Sequence, residues 1–131
     1  MENVARQSLV FPASLASLVD IREAVRSAVA ATGASGDDLA RVVTVAHELA
    51  ANAVEHSAAA ESIEVTISVE PDAVLLAVSA PDEGRTPVMR EPSEEGERGR
   101  GLLIVDALSD CWKSERANAT QTVSARVPLA V

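Results

Sequence analysis

His47 to Ser57 reads HELAANAVEHS, and it continues an apolar rhythm that begins upstream. Val42, Val45, Ala46, Leu49 and Ala53 recur at spacings of three and four, the stripe of a helix that buries one face. Thr44, Glu48, Asn52 and His56 recur every four residues and form a polar row beside that stripe. A polar row flanking a buried stripe can line a pocket. Glu48 offers a carboxylate that can orient or deprotonate a hydroxyl. Asn52, one turn on, offers an amide oxygen that can ligate a hard cation. The same row also suits an ordinary solvated helix face, so its meaning depends on the rest of the chain.

Upstream of this helix the chain starts polar, and residues 1–7 are expected to fray. Ser8 to Phe11 is a short apolar run that suits an edge strand, closed by Pro12. Ser14 is the expected N-cap of a first helix reaching about Ala31, with Leu15, Leu18, Val19, Val25 and Val29 on its buried side. Gly33 and Gly36 stop it, and Asp37 or Asp38 can cap the helix that follows.

Downstream the period changes. Ile63, Val65, Ile67 and Val69 alternate with Glu64, Thr66, Ser68 and Glu70, which predicts a half-buried strand. Pro71-Asp72 is a turn signal, and Ala73 to Ser79 is a nearly continuous apolar run, so the second strand of this hairpin should be more central. Residues 85–100 lack apolar periodicity and mix Pro87, Pro92, Gly96 and Gly99 with charge, the composition of a long loop or lid. A short helix is predicted from Gly101 through Leu108. Cys111 to Glu115 and Thr122 to Val127 read as two closing strands around Asn118-Ala119. Helices come early and strands late. The expected fold class is α+β, a two-layer sandwich with helices on one face of a mainly antiparallel mixed sheet.

The 131 residues fit one domain, 1–131, with a sizeable core. A net charge of −9 opposes nucleic acid and anionic membranes, and one Trp, one Phe and no Tyr leave almost nothing for base stacking. The single Cys111 excludes an internal disulfide and a cysteine metal cluster. No apolar run spans a membrane and no signal peptide is seen, so the cytoplasm is the expected compartment. His47 reads as a surface residue and Trp112 as core.

Two further pieces accompany the Glu48–Asn52 row. Asp82-Glu83-Gly84 follows the central strand, where an aspartate can accept a hydrogen bond from an exocyclic amine and a glycine lets backbone approach a ring. Gly99-Arg100-Gly101-Leu102 leads into a helix, where free N–H groups and the helix dipole favour an anion. Each alone is an ordinary turn or loop end. Their order and context together point to a site.

ELAANAVEHS resembles the N box of the GHKL (Bergerat-type) ATPase superfamily, DEG its first glycine box and GRGL its second. The ELxxNAxxH form and the closing GRGLLIVDALSDCW and TVSARVP resemble the anti-sigma-factor serine kinases and their stand-alone actinobacterial relatives. The resemblance covers about Phe11 to Pro128. It implies ATP and Mg²⁺ as cofactors, with residues 85–100 as the ATP lid. Asn52 would hold Mg²⁺ against the phosphates, and Glu48 would be the general base toward a partner's serine. Asp82 would bind the adenine amine, with Gly84 under the base. Gly99 and Gly101, with Leu102, would form the phosphate-binding segment, and Thr122 would help bind adenine. Arg98 and Arg100, by their position, would add charge to the phosphates. The implied partners are an anti-sigma antagonist, a sigma factor, or both, with a homodimer as a further expectation. Thr86 stands where the first box has its second glycine. The lid carries Glu91, Glu94, Glu95 and Glu97, whose repulsion of a polyphosphate argues for weak nucleotide affinity or a strong need for Mg²⁺. The competing reading is a partner-binding module of the same fold that transfers no phosphate.

Overall fold

The computed structural model describes residues 5–56, 61–81 and 97–130. Within them the chain makes β1 (Ala5–Pro12), α1 (Ser17–Ala30), α2 (Gly36–His56), β2 (Ser62–Val69), β3 (Ala73–Pro81), α3 (Glu97–Leu108), β4 (Cys111–Ala117) and β5 (Thr120–Pro128). The strands form one sheet in the order β1-β2-β3-β5-β4, and every pairing among the described residues is antiparallel. The continuous apolar run, β3, is the middle strand, as its composition predicts.

Alternation fixes the two faces of the sheet. Ile63, Val65 and Ile67 of β2 pair across the ladder with Val78 and Leu76 of β3 or with Leu9 and Phe11 of β1, and they are buried. Val123, Ala125 and Val127 of β5 lie opposite Val78, Leu76 and Val74 on the same side. The three helices cover this face, with α2 against α1, α3, β2, β3 and β5. The core joins these strand residues to Ile21, Val25 and Val29 of α1, to Val42, Val45 and Leu49 of α2, and to Val105 of α3. The other face is open. There Leu75 and Ala77 floor a cavity of about 490 Å³ bordered by Arg6, Lys113 and Arg126.

Several expected boundaries move. β1 begins at Ala5, because Ala5, Arg6 and Gln7 pair with Val69, Ser68 and Ile67; the frayed segment therefore does not reach residue 7. Ser14 does not cap α1, whose N-cap is Ala16 with no side-chain bond. Instead the buried Ser17 hydroxyl donates to Pro12 O at 2.7 Å. Leu15 and Val19 are exposed, and the buried stripe of α1 is Leu18, Ile21, Val25 and Val29. Neither Asp37 nor Asp38 caps α2. The Asp38 N–H donates to Ser35 Oγ at 3.1 Å, which makes Ser35 the cap. The Asp38 side chain is buried and accepts from the Arg41 guanidinium and, at 2.8 Å, from the Ala130 N–H. The helix predicted from Gly101 starts at Glu97, one turn earlier, so residues 97–100 of the expected lid are helical.

Candidate functional site

α2 places the row as the spacing requires. Val42, Val45, Ala46 and Leu49 are buried against the sheet and the other helices, which turns Thr44, Glu48 and Asn52 to the margin of the core, each half-buried. α3 comes against α2 beside Glu48. A Cβ built on Gly101 would lie 2.8 Å from Glu48 Oε1 and 3.9 Å from its Cδ. The N-box carboxylate and the second glycine segment, more than fifty residues apart in the chain, are thus in contact. α3 is held there by Leu102, 5% exposed, and by Val105, which is fully buried. Asp106 Oδ1 accepts from the Trp112 indole at 3.0 Å, which ties the helix to β4. Trp112 therefore packs partly against the core while its N–H serves α3.

The remaining expected residues distribute as follows. Asp82 and Gly84 lie outside the described residues. Arg98, Gly99 and Arg100 stand in the first turn of α3, and of the two arginines only the backbone is described. With the helix starting at Glu97, Gly99 falls among the first-turn N–H groups that lack an intrahelical acceptor, whereas Gly101 lies one turn in.

Leu102 is a core residue, and its side chain is committed to packing α3. Thr122 does not join Glu48. Its hydroxyl shares a 2.8 Å hydrogen bond with Ser79 Oγ, its ladder partner, and both alternate with residues of the helix-covered face. Strand parity puts Thr122 on the open face. At that level β5 turns Gln121 toward the helices, and its amide donates to Ser114 Oγ at 2.6 Å. Gln121 was legible in principle, since Val123, Ala125 and Val127 set the parity.

His47 is not free on the surface. Arg22 Nη1 lies 3.0 Å from His47 Nδ1. A guanidinium only donates, so Nδ1 accepts and the ring proton sits on Nε2. This bond fastens α1 to the turn of α2 that carries Glu48. Of His56 only the backbone is described.

No described residue hydrogen-bonds the Asn52 amide. Among the described residues no group of three or more His, Cys, Asp or Glu side chains could hold a metal ion. One amide oxygen on a half-buried row fits a small cation that keeps several non-protein oxygen ligands, the habit of Mg²⁺ on nucleotides.

Residues 11–127 match the family described as the histidine kinase-like ATPase domain. The chain belongs to that family. The fold of this histidine kinase-like ATPase domain recurs in solved structures. The RsbU and RsbW domains of Rv1364c from Mycobacterium tuberculosis align at TM-score 0.73 and 22% identity, over 95% of this chain and 32% of that one. The SiaB–SiaC complex from Pseudomonas aeruginosa gives TM-score 0.65 and 16% identity, over 93% of this chain and 89% of that one. The histidine kinase domain of the blue-light activated kinase from Erythrobacter litoralis EL346 gives 0.55 and 17%, over 91% and 62%. The chain thus spans about a third of the Rv1364c chain. No curated protein matches it. No described helix is long and apolar enough to cross a membrane.

Proposed function

We propose that this domain binds ATP with Mg²⁺ and phosphorylates a serine on a partner protein, an antagonist of an anti-sigma factor, with sequestration of a sigma factor as part of the same regulatory role. The observation that carries the reading is the contact of Glu48 with Gly101, because it joins the two segments the chemistry needs. Family membership supports ATP as the ligand. SiaB, a neighbour in fold, is solved in complex with SiaC, which favours a protein as acceptor.

In the transfer, the serine oxygen bonds to the γ-phosphorus and the bond from that phosphorus to the β–γ bridging oxygen breaks. ADP departs, and the serine proton passes to the Glu48 carboxylate. Such a transition state needs positioning and charge neutralisation more than covalent catalysis. Asn52 would hold Mg²⁺, which would supply positive charge to offset that of the phosphates. The first-turn N–H groups of α3, Gly99 among them, would receive phosphate oxygens, with Arg98 and Arg100 adding charge. Asp82 and Gly84 would hold the adenine.

The test is an ATP titration with Mg²⁺, then phosphoryl transfer to a cognate antagonist. Glu48→Ala should keep nucleotide affinity and lose about 10²- to 10⁴-fold in kcat, the range for a removed general base. Absence of transfer, or a Glu48→Ala rate equal to that of the unaltered protein, refutes the kinase. Partner binding indifferent to ATP would instead identify a binding module.

A further inference from the structure

We infer that Gly101 is a positioning residue for Glu48: its missing side chain is the space in which the carboxylate sits. This rests on the reading of Glu48 as the base. Gly101 lies inside α3, and its backbone is not in the left-handed region that would call for glycine. In a helix interior glycine is a worse former than alanine, so α3 itself gains nothing from it. What glycine supplies is room. A methyl group there would approach Glu48 Oε1 to 2.8 Å, closer than side-chain carbons come to a neighbour.

Which partner would yield follows from how each is held. α3 is anchored by buried Leu102 and Val105 and by the Asp106–Trp112 bond, and it cannot retreat cheaply. On α2, the backbone at Glu48 is fixed by buried Leu49 and by the Arg22–His47 tie. The atom in the way is the far end of a flexible side chain. A methyl at 101 therefore evicts the carboxylate and leaves the fold intact. This differs from a phosphate-cradling role for Gly101, in which the methyl would act on the nucleotide.

The two roles separate in a double-mutant cycle. Gly101→Ala should fold, with a thermal midpoint equal to or above that of the unaltered protein, and bind Mg²⁺-ATP with unchanged affinity. Its kcat should fall about 10²-fold, as expected for a misplaced catalytic group. In a Glu48→Asp background, whose shorter side chain does not reach Gly101, the same change should cost no more than about twofold. A second readout needs neither nucleotide nor partner. In the free protein the ¹³C resonance of the Glu48 carboxyl should move on Gly101→Ala while the other glutamates stay in place.

Equal losses in the two backgrounds, a loss confined to ATP affinity, an unfolded Gly101→Ala protein, or an unmoved Glu48 resonance would each overturn the inference. If the unaltered protein transfers no phosphate, the kinase reading fails by itself, and the resonance alone decides whether Gly101 holds the Glu48 carboxylate.

Discussion

At the scale of single residues, type and spacing were readable, but orientation and partner were not. Glu48 and Asn52 sit half-buried on α2 as their four-residue spacing requires. His47, next to Glu48 in the chain, reads as solvent-facing and is instead bonded to Arg22, because α1 packs where no local pattern announces it. Thr122 is a strand threonine, as expected, yet one step of parity puts it on the open face with Ser79. The turn between β4 and β5 shows the same division. Asn118-Ala119 is recognisable as a loop, but only the structure reveals left-handed backbone at both residues, φ 54° and 61°. That is a two-residue hairpin turn whose twist suits the strands and whose second position suits glycine. Alanine there carries the left-handed penalty, so Ala119→Gly should stabilise the domain by about 1 kcal/mol, read as a higher urea midpoint at unchanged slope.

At the scale of elements, pattern and composition located every helix and strand among the described residues, and the ends were the uncertain part. Helix ends depend on which group meets the free N–H donors, and a sequence offers several candidates. Asp37, Asp38 and Ser35 all stand near the start of α2. Ser35 Oγ accepts the Asp38 N–H, while the Asp38 carboxylate is engaged by Arg41 and the Ala130 N–H. Ser35→Ala should therefore cost about 1 kcal/mol in chemical denaturation, whereas Asp37→Ala, on an exposed first-turn residue, should cost no more than about 0.5 kcal/mol. Equal losses would return the cap to the aspartate. α3 is the other displaced boundary. Its glycines argue for a start at Gly101, but anchoring through Leu102 and Val105 supports an extra turn back to Glu97.

For the whole molecule, contacts between distant segments close the fold. The segment after β5 is fastened twice: the Leu129 N–H donates to Asp72 O at 2.9 Å and the Ala130 N–H to Asp38 Oδ2. Arg41 adds a third tie by donating to Pro128 O at 3.0 Å. Deleting residues 129–131 should cost about 2 kcal/mol through the loss of these two hydrogen bonds. Asp38→Ala should cost about 3 kcal/mol, the low end for a broken buried pair, because the Arg41 head stays partly in water. Since both changes remove the same Asp38–Ala130 bond, the combined loss should fall short of the sum by at least about 0.5 kcal/mol. Thermal and urea unfolding of the three variants checks this, and strict additivity would mean that the tail and α2 are not coupled.

The sequence by itself determined the kinds of element, their order, the α+β class, the central place of β3 and the polar row on α2. Those follow from side-chain period, which is a property of local backbone geometry. Only the tertiary structure decided that Glu48 meets Gly101, that Thr122 faces away from the helices and that Asp38 binds the segment after β5. Each of these depends on register and packing between segments far apart in the chain. A shift of one residue along a strand or a rotation of one helix reverses the answer, and no local pattern carries that information.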